Sequence, residues 1–186
     1  MKIRYAVSVL LLLACSSALA SDNSPQTATT AVSFPNQLSV LYTFNRTDFN
    51  GYKHNQTANI QGATLQYTRM MSGHLGLTTE GSFGRSSLVQ STYYDVAAGP
   101  RLQFGFGKVS PYVQTLFGYS HIVIKPNDLL GHNSGFAFIG GFGADLHLNS
   151  SWSLRLGQFD FLRQPFGQNR STWMRYSAGV TYNWGH

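Results

Sequence analysis

The chain has 186 residues, enough for one domain. Charged side chains make up 11% of it, against about 25% in soluble globular domains, while aromatics reach 14% and glycines number 19. That balance suits a β-rich protein whose outer surface is not in water. The net charge of +6 is carried by single residues with no Lys/Arg run, so nucleic acid is not expected as a partner.

The first 20 residues read as a targeting segment. Lys2 and Arg4 form a positive start, and Ala6 to Ala14 is apolar but shorter than the roughly 20 residues a spanning helix needs. Ala18-Leu19-Ala20 before Ser21 is an A-x-A cleavage site. Residues 1–20 are therefore expected to be a signal peptide cleaved after Ala20. A lipidation box at Leu12-Leu13-Ala14-Cys15 is the competing reading, and the bulky Leu13 speaks against it. Cys15 is the only cysteine, so cleavage after Ala20 leaves no disulfide, and closure of a barrel in lipid would supply the stability a small exported domain needs. Loss of Lys2 and Arg4 leaves 11 basic against 7 acidic residues, a net of +4. Residues 21–35, polar and without periodicity, read as a flexible periplasmic lead-in.

From residue 38 the pattern is alternation of period two, and no stretch reads as an amphipathic helix or an 18-residue apolar span. Strands are predicted at 38–46, 59–69, 74–84, 92–106, 111–124, 136–147, 152–162 and 174–184. The first sets Val40, Tyr42 and Phe44 against Leu41, Thr43 and Asn45, and the last sets Tyr176, Ala178, Val180, Tyr182 and Trp184 against Arg175, Ser177, Gly179, Thr181 and Asn183. The seventh breaks phase between Leu156 and Phe159, which predicts a β-bulge at Gly157-Gln158. Connections at 70–73, 107–110 and 148–151 are short; those at 46–58, 85–91, 125–135 and 163–171 are longer and polar. Short periplasmic turns alternating with long external loops are the habit of outer-membrane barrels. The fold class expected is all-β, an eight-stranded antiparallel up-and-down transmembrane β-barrel over residues 36–186 of an exported bacterial outer-membrane protein.

A soluble lipocalin-like barrel would show the same alternation with the faces inverted. Three features favour the membrane form. In-strand charges (Glu80, Asp95, Arg101, Asp145, Arg155, Arg175) all fall on the polar face. That face is rich in glycine, as a narrow eight-strand lumen requires. Aromatics gather near strand ends, as interfacial girdles do.

The closing stretch Ser177-Ala178-Gly179-Val180-Thr181-Tyr182-Asn183-Trp184-Gly185-His186 resembles the last strand of the transmembrane domain of outer-membrane protein A and its small relatives, except that two residues follow the final aromatic. Gly140-Gly141-Phe142-Gly143-Ala144-Asp145-Leu146 with Trp152-Ser153-Leu154-Arg155-Leu156, and Gly99-Pro100-Arg101, resemble other strands of that group. The resemblance implies an eight-strand barrel assembled through its last strand by the barrel-assembly machinery. No periplasmic peptidoglycan-binding domain is expected, so that function is not carried over.

The candidate site is a lumen ion-pair network of Glu80, Asp95, Arg101, Asp145, Arg155 and Arg175. A turn centred near Asn149-Ser150 would set Asp145 opposite Arg155, both pointing inward. His132-Asn133-Ser134, read as lying in an external loop, is a His-x-Ser triplet of the kind outer-membrane lipid A deacylases use with an acid partner; Asp145 or Asp160 would have to serve. The six histidines show no zinc spacing, and no cofactor is expected. Arg46, Lys53, Arg85, Lys125, Arg163 and Arg170 fall in the external loops, where lipopolysaccharide phosphates would be partners. The functional expectation is a monomeric, non-enzymatic barrel with a structural, adhesive or binding role through its external loops. A narrow pore and a lipid A acyl hydrolase are the alternatives.

Overall fold

The computed structural model describes residues 35–48, 57–86, 91–124, 132–166 and 169–185. The expected signal peptide and cleavage site, and the expected lead-in up to residue 34, lie outside the described residues. Eight strands follow one another: β1 Asn36–Asp48, β2 Thr57–Met70, β3 Leu75–Ser86, β4 Ser91–Gln103, β5 Val109–Ile124, β6 His132–His147, β7 Trp152–Phe166 and β8 Asn169–Trp184. Each pairs antiparallel with its sequence neighbour, and β1 pairs with β8 from Asn36↔Trp184 to Thr47↔Trp173, closing the barrel. Closure leaves no open edge, which a sheet in hydrocarbon cannot tolerate.

Alternation divides the strands cleanly. One face carries Val40, Tyr42, Leu65, Val96, Phe117, Phe142 and Val180, all exposed, with Val96 at 69%. The other turns Thr64, Gln66, Thr78, Glu80, Arg101, Asp145 and Thr181 inward, each at most 3% exposed. A soluble lipocalin-like barrel would have the reverse arrangement, so that alternative is discarded. At the turn end, Trp152, Tyr182, Trp184 and Tyr67 form a chain of ring contacts with centroids 5.1, 5.7 and 6.0 Å apart. Those rings belong to an interfacial girdle.

The tight connections have readable causes. Gly107 takes φ +60° in the two-residue turn Gly107-Lys108 between the bridged Phe106 and Val109, a conformation that primed hairpin turns demand and glycine accepts without strain. Asn149 Oδ1 accepts from the backbone N–H of Ser151 and Trp152, at 2.9 and 2.8 Å, and so shapes the β6–β7 turn.

Several boundaries, and the position of the bulge, differ from the sequence expectation; β4, for one, ends at Gln103 rather than at 106. β6 begins at His132, so the His-x-Ser triplet is strand rather than loop. β7 and β8 stay paired through Arg163↔Thr172 to Phe166↔Asn169, so the expected long loop at 163–171 shrinks to residues 167–168. Past the apolar band both faces of a strand can be polar, so period two fades from the sequence while backbone pairing continues. The bulge sits at Leu156-Gly157, where Ala144↔Gly157 is followed by Asp145↔Arg155. On the other side two residues, Leu156 and Gly157, oppose the one between Gly179 and Ser177. The shift returns Gln158 and Asp160 to the lumen.

The lumen is not uniformly polar. Towards the external strand ends, Ile60, Tyr93, Leu116, Ile139, Leu162 and Trp173 point inward, are at most 0% exposed and belong to one buried apolar cluster. Tyr93 and Trp173 meet inside the barrel with ring centroids 5.0 Å apart.

Candidate functional site

Below the apolar cluster, β3, β4, β6, β7 and β8 deliver charged side chains into the lumen. Two linked assemblies result. In the turn-side half, β6 and β7 set Asp145 directly opposite Arg155. Arg155 Nε donates to Asp145 Oδ1 at 2.7 Å and its Nη2 to Oδ2 at 3.0 Å, a two-pronged pair, and Arg101 Nη2 donates to the same Oδ2 at 3.0 Å. One carboxylate is thus held by two guanidiniums. Arg101 also lies over the Tyr112 ring, 3.4 Å from its centroid, a favourable contact for a desolvated cation.

In the middle of the lumen Arg175 serves three carboxylates. Its Nη2 donates to Glu80 at 2.5 Å and its Nε to Asp160 at 2.8 Å, while Asp95 lies 3.5 Å from Nη1. Ser82 Oγ accepts from Nη1 at 2.9 Å.

Amides join the two assemblies. Gln66 donates to Glu80 at 2.9 Å and accepts from Arg101 and Arg155. Gln158 accepts from Arg155 at 3.0 Å and from the Tyr112 hydroxyl at 2.7 Å, and donates to Asp160 at 2.8 Å. Glycines on β6 make the room: a Cβ on Gly141 would collide with the Asp160 carboxylate, and one on Gly143 would come within 2.5 Å of the Tyr112 hydroxyl. At the turn end His147 bridges Ser110 and Ser153, at 2.8 and 2.7 Å, and Asn183 donates to Ser153 at 2.7 Å.

All six residues singled out from the sequence therefore point into one lumen. Asp145 with Arg155 and Arg101 forms one group; Arg175 with Glu80 and Asp95 forms the other. Asp160, Gln66, Gln158 and Tyr112 were not assigned to the network. Asp160 and Gln158 follow the bulge: Asp160 is inward because Phe159 and Phe161 face out on either side of it, and the extra residue at Leu156-Gly157 sets Gln158 inward as well. Low-dielectric burial makes the arrangement demanding, because each ion is tolerated only with its partners in place.

Ser134 is on the barrel exterior. It hydrogen-bonds His121, its cross-strand partner on β5, at 2.5 Å. The acids proposed to complete a catalytic set, Asp145 and Asp160, are inside the lumen at 1% and 2% exposure. Ser134 and the two acids thus lie on opposite sides of the barrel wall.

A closed eight-strand barrel with an apolar exterior, an aromatic girdle and an ion-paired lumen is an integral outer-membrane barrel. The profile of the outer membrane protein beta-barrel domain family matches residues 7–183, and the chain belongs to that family. No curated protein matches it by sequence. Among solved structures it is similar to Neisserial surface protein A, with a TM-score of 0.67 and 9% identity over 81% of this chain and 97% of that one. It is also similar to Ail, the attachment invasion locus protein of Yersinia pestis, with a TM-score of 0.60 and 17% identity over 82% of this chain and 100% of that one. A further structure of Ail, in complex with the heparin analogue sucrose octasulfate, matches with a TM-score of 0.54 and 18% identity over 80% and 97% of the two chains. At these identities the likeness is one of fold.

Proposed function

We propose that this protein is a non-conducting anchor in the outer membrane whose specific work, adhesive, binding or structural, is done on its external side. The observation that carries this reading is the filled lumen. An apolar cluster headed by Tyr93 and Trp173 occupies its external half, and cross-linked ion pairs occupy the rest. Eight strands enclose little more than side-chain volume, and here that volume is taken by residues that hold one another in place. An ion crossing it would have to separate buried pairs and pass an apolar layer.

Several narrower proposals belong to the same reading. Export proceeds through cleavage after Ala20, and the barrel-assembly machinery reads β8. Closure of β1 on β8 leaves no strand edge to recruit a second copy, which fits a monomer. A non-enzymatic role is favoured because the acids that might have served Ser134 face the lumen. The complex of Ail with the heparin analogue sucrose octasulfate offers a precedent, on the same fold, for a barrel that holds a polysulfated ligand.

Planar-bilayer recording of the refolded barrel is the test. Steady stepwise openings should be absent. Reproducible openings that persist in single-barrel recordings would replace the anchor with a pore.

A further inference from the structure

The external ends of the four hairpins repeat one arrangement. Every strand that runs outward from the turn side carries, near its external end, an aromatic, one inward residue, then a basic side chain on the exterior face: Phe44-Asn45-Arg46 on β1, Phe83-Gly84-Arg85 on β3, Tyr119-Ser120-His121 on β5 and Phe161-Leu162-Arg163 on β7. In each hairpin the basic residue faces a neutral hydrogen-bonding residue on the returning strand: Arg46↔Asn59, Arg85↔Thr92, His121↔Ser134 and Arg163↔Thr172. Two residues nearer the membrane centre, about 7 Å along a strand, the pairs become Phe44↔Gln61, Phe83↔Tyr94, Tyr119↔Phe136 and Phe161↔Met174. A tier that pairs a basic residue (arginine in three hairpins, histidine in the fourth) with a polar one therefore sits directly above a mostly aromatic tier, once per hairpin around the barrel.

Charge is segregated to match. Glu80, Asp95, Asp145 and Asp160, the acids whose side chains are described, all point into the lumen, against three lumen arginines. Among the residues with described side chains, the exterior rim carries cations and no acid. Scattered solvated charge would show no reason to recur as arginine at the same register position of three hairpins, with histidine at the fourth, nor to follow an aromatic each time.

We propose that this rim is a binding ring for the phosphorylated sugar headgroups of outer-leaflet lipid, the glucosamine phosphates of lipid A. The aromatic tier marks the boundary between acyl chains and headgroups. Phosphates begin one step beyond it, where Arg46, Arg85 and Arg163 stand. Guanidinium forks engage phosphate oxygens two at a time, and the neighbouring Asn59 and Thr92 supply neutral donors to sugar hydroxyls. The ring would fasten the barrel to the leaflet and fix its depth. It rests on the outer-membrane placement and on the hairpin turns facing the periplasm, not on whether the lumen conducts.

The test uses the full mature barrel, refolded in zwitterionic detergent, with bisphosphoryl lipid A and its dephosphorylated form as probes and native mass spectrometry as the count of retained lipid. Folding is checked separately by unboiled gel migration, so the result does not depend on conductance. The parent should retain bisphosphoryl lipid A well above the dephosphorylated form. The Arg46→Gln/Arg85→Gln/Arg163→Gln variant should retain at least about tenfold less, since three charge-assisted contacts are removed. Arg69→Gln, at the opposite rim, should retain as much as the parent. Equal retention by the triple variant, or equal retention of the dephosphorylated lipid, overturns the proposal. Tighter binding of a soluble polysulfated sugar than of lipid A, lost in the triple variant, reassigns the ring to a soluble polyanion and overturns the lipid assignment.

Discussion

Arg175 and Arg155 are the residues on which the lumen depends most. Arg155 gives Asp145 two of its three charged hydrogen bonds and also donates to Gln66 and Gln158. Arg155→Ala would leave the carboxylate to Arg101 alone and strip both amide oxygens of a donor. Breaking one partner of a buried pair costs about 3–5 kcal/mol. The variant should convert from the folded to the unfolded gel band at a lower temperature than the parent, and an unchanged conversion temperature would contradict the network's role. The Asp145–Arg155 opposition is legible in the sequence because one short turn fixes it. The apolar half of the lumen is not. Leu116, Ile139, Leu162 and Trp173 are followed or preceded on the outer face by Phe117, Phe138, Phe161 and Met174, so apolar residues stand on both faces and the alternation that distinguishes inside from outside disappears there.

Among the elements, β7 is the one whose geometry the sequence half reveals. The phase break between Leu156 and Phe159 announces a bulge, but any of three residues could absorb it. The structure places the extra residue at Leu156-Gly157, with Arg155 and Gln158 both inward. Deleting Gly157 would leave Arg155 inward, Leu156 outward and Gln158 inward, a regular strand. That deletion should therefore preserve the folded, heat-modifiable band. Deleting Val180 from the unbulged β8 should abolish it, because every residue on one side of the deletion would change face. Loss of the folded band on deletion of Gly157 would show that the bulge's extra twist, not only its phase, is required. The longer strands, by contrast, follow from backbone pairing alone, which the polar residues of β6, β7 and β8 beyond the membrane band do not advertise.

At the scale of the whole molecule the barrel has two unlike ends. Its periplasmic end has tight turns and a hydrogen-bonded mouth of Ser110, His147, Ser153 and Asn183. Its external end has an apolar lumen layer inside and a basic rim outside. The number of strands, the closure and the choice of lipid face were all legible from alternation and from where the charges fall. The apolar filling of the external half shows only in the side chains that form it. The exterior carries the apolar face that meets lipid, while side chains fill the lumen. A nitroxide accessibility scan along β8, one label at a time at 176, 177, 178, 180, 181, 182 and 183 in folded barrels in lipid, tests both faces together. The account predicts that oxygen reaches the labels at 176, 178, 180 and 182, and that neither oxygen nor a water-soluble relaxation agent reaches those at 177, 181 and 183. Ready access of the water-soluble agent to the odd positions, or an inverted phase, would contradict it.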